Sequence, residues 1–168
     1  MSLEVELGTG SATAESYISV ADASTYHSNR GNTAWASLST DATREQCLRK
    51  ATDYMRQVYR SRWQGCRVQE NQSLDWPRFG VIVEGWAIAS NIVPTEVKNA
   101  CAELALRAAT GDLLADQSQG VVSEAVGPIS VAYDKDSPRE VRYKAVEAML
   151  APYLNMGGNT IMTELARV

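Results

Sequence analysis

The feature that most constrains the fold is a periodic run within residues 32–63, NTAWASLSTDATREQCLRKATDYMRQVYRSRW. In it Cys47, Leu48, Ala51, Tyr54, Met55, Val58 and Tyr59 recur at steps of three and four. One face of a helix has that spacing, so a helix over about 41–60 is predicted. Such a stripe has to be covered. A chain of 168 residues with 45% hydrophobic content can cover it within one domain, without disulfides or a structural metal.

The best candidate for the covering element is PTEVKNACAELALRAATGDLL, residues 94–114. Pro94 suits a first helical position and Gly111 a helix end. Val97, Ala100, Cys101, Ala102, Leu104, Ala105, Leu106, Ala108 and Ala109 occupy most of its circumference, which predicts a central helix over 94–113 packed on several sides. Ahead of these two, Ser19 can cap a helix with Asp22 in its first turn, and Gly31 can stop it. Residues 64–93 keep no period and carry glycines and Pro77, so they read as a long irregular loop with room for short strands. Residues 121–134 alternate around Gly127–Pro128 as a hairpin does. Ser137, Pro138 and Glu140 form a capping box for a last helix with Val141, Ala145, Ala148 and Met149 as its stripe. The expectation is a mainly α fold: a helical bundle around the helix at 94–113, one domain over 17–154. Residues 1–16 are read as an extended, mobile arm and 155–168 as a tail, one or both becoming ordered on a partner.

The totals narrow the chemistry. A net charge of −4 and a pI near 5.1 argue against a surface that grips nucleic acid everywhere, although a local basic patch fits. No basic start, apolar leader or membrane span is legible, so a cytoplasmic site of synthesis and no membrane partner are expected. Cys47, Cys66 and Cys101 lack the spacing of a zinc site and read as reduced thiols, two of them on apolar helix faces. His27 is the single histidine, read as a structural residue on a polar face, and it leaves Ser or Cys nucleophiles without a partner set. The segment GTGSATAES at 8–16 lacks the preceding strand and the lysine of a phosphate-cradling loop. These readings point to a non-enzyme with no cofactor and no metal.

About half of the lysines and arginines lie between Arg44 and Arg78. Arg49, Arg56 and Arg60 share the outer face of the 41–60 helix with Glu45 and Asp53, the pattern of a solvated, ion-paired face. Farther on, Arg60, Arg62, Arg67 and Arg78 interleave with Trp63 and Trp76, and a ring beside a guanidinium can stack bases or make cation–π contacts in a protein interior or subunit boundary. The stretch SLDWPRFGV, residues 73–81, holds Trp76 and the single phenylalanine, Phe79. Both offer too much apolar area to leave in water. With Pro77 stiffening the backbone and Gly80 turning it, the stretch reads as a peg set in the chain's own core or between subunits. Arg78 can serve unpaired carbonyls or a neighbouring carboxylate.

The pieces LDWPRFGV, IVPTEVKNACAELALRA and VVSEAVGPISVAYD, with the opening SYISVADASTYHSNRGNTAW, resemble a family of tailed-bacteriophage proteins. Its members carry the label DnaT-like single-stranded-DNA-binding protein and look like head-tail connector (adaptor) proteins of the phage neck. The resemblance runs from ESYISVAD to AMLAPYL. In the hairpin Glu124, Val126, Gly127, Val131 and Tyr133 stand where comparable adaptor segments have Glu, an apolar residue, Gly and a strand ending in Tyr. Pro128 departs from that pattern and restricts the turn. The resemblance implies a twelve-fold homo-oligomeric ring in the virion neck, joining the portal protein to a tail or tail-completion protein. Double-stranded DNA would pass through its bore without sequence-specific binding. An acidic ring would let a duplex slide. Contacts in a ring are heterologous, so two adhesive patches are needed. The candidates are the peg loop 73–86, with Trp76, Pro77, Arg78 and Phe79, and the hairpin, with Glu124, Val126, Gly127, Ile129, Val131 and Tyr133. The alternative implied by the label is a single-stranded-DNA binder whose stacking groove is built from Arg60, Trp63, Arg67, Trp76 and Arg78, with Arg62 as a further DNA contact.

Overall fold

The computed structural model describes residues 2–114, 123–126, 129–132 and 143–155. The fold is mainly α, as expected. Helix α1 (Val20–Ser28) starts where Ser19 Oγ accepts the Asp22 N–H at 3.0 Å, and Gly31, at φ 68°, turns the chain into the short α2 (Thr33–Ala36). Helix α3 (Asp41–Tyr59) is capped by Thr40, whose Oγ1 accepts the Thr43 N–H at 3.2 Å. The predicted stripe is its inner face: Cys47, Leu48, Ala51, Tyr54, Met55 and Tyr59 are buried and Val58 half-buried.

Helix α4 (Thr95–Ala108) lies at the centre, packed by α1, α3 and α5. It is shorter than 94–113: Pro94 is the N-cap and not the first helical residue, and the chain leaves the helix before Gly111. Ala100, Ala102, Ala105 and Ala108 are buried in this packing, and a larger side chain at any of them would have to displace its neighbours. Where the two meet, Cys101 Sγ lies 3.4 Å from Thr52 Oγ1 and 3.9 Å from Ser16 Oγ, and burial pushes the thiol's pKa up. His27 is fully buried between α1 and α4, not on a polar face. Its Nε2 lies 3.1 Å from the Ala102 carbonyl and its Nδ1 3.1 Å from Asn32 Nδ2. That pairing assigns the neutral ring with the proton on Nε2, and burial holds its pKa below the ordinary imidazole value.

The last helix, α5 (Lys144–Leu150), continues into a 3₁₀ turn, Ala151–Tyr153. Its buried residues are Val146 and Leu150, while Ala145 and Ala148 are exposed and Met149 half-buried. The predicted stripe is therefore out of phase, because the large side chains, and not the alanines, set the face. Ser137, Pro138, Glu140 and Val141 lie outside the described residues.

Residues 64–93 are more regular than a loop. Strands β1 (Cys66–Arg67) and β2 (Arg78–Phe79) pair antiparallel, with Cys66 opposite Phe79 and Arg67 opposite Arg78. Strands β3 (Ile82–Val83) and β4 (Trp86–Ala87) form a hairpin around Glu84 (φ 53°) and Gly85 (φ 85°), a two-residue turn with both centres left-handed. The predicted hairpin is present as β5 (Ser123–Val126) and β6 (Ile129–Ala132), with Glu124 opposite Val131 and Val126 opposite Ile129. A bridge between Trp63 and Leu154 joins the end of α3 to the segment after α5.

The N-terminal segment departs most from expectation: it is folded onto the body. Glu6 is fully buried, and its carboxylate accepts the N–H groups of Gly8, Thr9, Gly10 and Ser11 at 2.7, 2.7, 3.0 and 2.7 Å. Gly8 and Gly10 have φ 109° and 73°, which lets successive N–H groups turn inward. Ser73 donates its N–H to the Ser11 carbonyl at 2.9 Å and its hydroxyl to that of Ala14 at 2.6 Å. Residues 156–168 lie outside the described residues.

Candidate nucleic-acid interface

The segment between α3 and α4 presents two contrasting surfaces. Its first half is an internal clip. Trp76 is fully buried, with Trp63 and Tyr153 each edge-on at 5.7 Å between ring centroids. The Trp76–Pro77 peptide is cis. Arg78, two residues on, is nearly covered. It donates from Nε to the Gln64 carbonyl at 2.6 Å, from Nη1 to Asp75 at 3.0 Å and from Nη2 to Gly65 at 2.7 Å. Burial lowers its pKa and the nearby Asp75 acts in the opposite sense. Asp75 is itself buried; its N–H donates to Tyr17 Oη at 3.0 Å and its Oδ1 accepts from Arg60 Nε at 2.9 Å. Gln72 completes the clip, donating to the Leu74 and Pro77 carbonyls at 2.8 and 3.1 Å.

The expected stacking groove therefore loses Trp63, Trp76 and Arg78, while Arg60, Arg62 and Arg67 stay exposed. Trp63, Trp76 and Arg78 are inside the molecule, and Pro77 is buried with them. An indole gains more from being covered on both faces by its own fold than from waiting in water, and the guanidinium follows because irregular backbone leaves carbonyls that need donors. Trp76 is therefore a core anchor.

Phe79 ends the clip and points outward, against the expectation that both rings are buried; it is 52% exposed. Past Gly80, at φ 74°, the hairpin β3–β4 is pinned by the buried Val81, whose carbonyl accepts the Ile88 N–H at 2.9 Å. Ile82 and Trp86 remain 58% and 79% exposed. Residues 79–86 thus carry three large exposed apolar side chains. Trp86 falls inside the expected 73–86 surface, yet the sequence does not single it out. The two-residue turn signal at Glu84–Gly85 could have, because it projects a short hairpin with few residues left to cover it.

Cations lie on the chain leading to these rings. Residues 56–67 hold Arg56, Arg60, Arg62 and Arg67 and no carboxylate, in a chain whose net charge is −4. Arg62 is exposed, with its guanidinium 5.6 Å from the Tyr59 ring centroid. Arg67 is exposed and donates to the Gln72 carbonyl at 3.0 Å; its neighbour Cys66 faces Phe79 across the β1–β2 pair. Arg60 keeps half its side chain exposed despite its bond to Asp75. With Asp53, Arg56, Gln57 and Ser61 it lines an open cleft of about 520 Å³. Arg56 itself is 3.8 Å from Asp53. Farther up the helix Arg49 is committed to Glu45, at 3.4 Å, as the mixed-charge pattern implies, and also to Glu15 of the N-terminal segment, at 2.9 Å.

Glu124, Val126, Ile129 and Val131 lie in the β5–β6 hairpin, and Gly127 and Tyr133 fall outside the described residues. Among the described residues no three His, Cys, Asp or Glu side chains gather as a metal site needs.

The whole chain, residues 1–168, matches a family described as "Putative DnaT-like ssDNA binding protein". No curated protein and no solved structure matches it. With the match spanning every residue, this chain belongs to that family.

Proposed function

We propose that the chain binds single-stranded DNA through the outer face of residues 56–86. Bases stack on Trp86 and Phe79, and phosphates meet Arg60, Arg62 and Arg67. The observation that supports this most is the exposure of Trp86, 79%, in a protein whose other three tryptophans, Trp35, Trp63 and Trp76, are buried. Exposed rings of this kind accept unpaired bases at about 1–3 kcal/mol each, and duplex DNA hides the base faces they need. The family description agrees with this reading. Because the cations are few and local, affinity should fall with salt at a logarithmic slope of only about −2.

The test is a titration with oligothymidylate at about 50 and 200 mM salt, followed by tryptophan fluorescence. Binding should quench the exposed Trp86, and Trp86→Ala should weaken affinity about tenfold. Absence of binding at the lower salt would end this reading.

A second reading is the phage neck adaptor: a ring joining portal to tail in the virion and surrounding the DNA channel. Ile82 favours it, because an exposed aliphatic side chain between Phe79 and Trp86 has no ring to offer a base but suits a covered subunit boundary. In that case the titration is flat, the purified protein or the virion contains a ring of this chain, and Trp86 becomes protected on assembly.

A further inference from the structure

We propose that Glu6 is a positioning residue that holds both feet of the aromatic segment 66–92, a role that rests on the single-strand reading only for its effect on DNA. The buried Glu6 carboxylate gathers four consecutive N–H groups, those of residues 8–11, and so fixes the shape of that loop. Its glycines are where the loop touches the segment. A Cβ on Gly8 would collide with the Asn91 carbonyl, just past β4. A Cβ on Gly10 would meet the Gln69 side chain at 2.8 Å and Gln72 Oε1 at 3.4 Å, just past β1.

From there the connection runs through Gln72, which accepts the Gln69 N–H at 2.9 Å and donates to the carbonyls of Leu74 and Pro77. Ser73 adds its bonds to Ser11 and Ala14. One loop therefore supports the start and the end of the segment that carries Phe79, Ile82 and Trp86. Glu6 supports the loop from inside, where no exposed side chain can replace it. Without the carboxylate, four buried or half-buried N–H groups lose their acceptor and the loop has reason to open.

Glu6→Ala in the full chain tests this by hydrogen exchange. The Gln69 and Ser73 amides should exchange about tenfold faster or more, while α3 and α4 amides keep their rates. Acetate, a carboxylate small enough for the emptied position, should restore protection at both amides, and chloride at equal ionic strength should not. General loss of stability would not respond to acetate in this way. If the alanine variant does not fold, Glu6→Gln, which keeps the size and removes the charge, should show the same pattern of faster exchange with a smaller increase. Unchanged exchange at Gln69 and Ser73 in the folded variant, or no response of the alanine variant to acetate, overturns the role. Oligothymidylate affinity should fall in the same variant and recover with acetate. A wild-type protein that binds no DNA, with exchange that still answers to Glu6 and acetate, would remove the single-strand reading and leave the positioning role standing.

Discussion

Trp76 and Trp86 belong to one excursion of the chain between two helices, yet one is fully buried and the other is 79% exposed. The indoles are chemically the same, so the difference lies in their surroundings. Around Trp76 the backbone is tied at many points: Tyr17, Gln72 and Arg78 bond it from three directions, and Trp63 and Tyr153 close on the ring. Around Trp86 the backbone is held by a two-residue turn and by Val81 beneath the hairpin. Burial of a large ring in an irregular segment thus depends on polar groups able to satisfy the backbone beside it. Where those groups end, after Arg78, the rings turn outward, beginning with Phe79.

The largest test of this contrast is to truncate both rings. Trp76→Ala should cost about 3–5 kcal/mol in a denaturant titration, whereas Trp86→Ala should stay within about 0.5 kcal/mol. Comparable losses for the two would erase the distinction. Next, Arg78→Met keeps much of the volume but leaves the Gln64, Gly65 and Asp75 carbonyls without their donors. A loss of about 3 kcal/mol is expected; a neutral result would mean that ring packing alone decides which tryptophan is covered.

The smallest effect concerns a buried polar residue outside that excursion, His27 on α1. His27 is held neutral by burial, so its folded pKa lies below the unfolded value near 6.5. Between those two values the unfolded chain binds the extra proton, and stability rises with pH. Melting temperature should therefore decline as pH falls below about 6.5, and His27→Gln should flatten that decline. An unchanged slope in the variant would remove His27 from the account.

The contrast also marks what could be read in advance. Helix α3 was legible because seven apolar residues repeat at helical spacing, and α1 because Ser19 and Asp22 sit where a cap needs them. The face of α5 was not, since alanine tolerates exposure and burial alike and says little about phase. Phe79 and Trp76 differ in fate although their hydrophobicity predicts the same one. The Glu6 nest was missed because its ligands are backbone N–H groups, which the sequence reports only indirectly, as an acid shortly before Gly8 and Gly10. Arg78 was misplaced in the expected groove for a related reason: residue type identifies a guanidinium but not whether nearby carbonyls will claim it.

Cys66 opens β1, exposed and directly across the strand pair from Phe79, whereas Cys47 and Cys101 are buried and burial raises both of their thiol pKa values. A thiol-directed dye added to the native protein would therefore attach at one position, without any engineered cysteine. The unaltered molecule thus supplies a mooring for a fluorescent reporter beside its outward rings, where the arrival of a nucleic acid strand or of another subunit would change the emitted light.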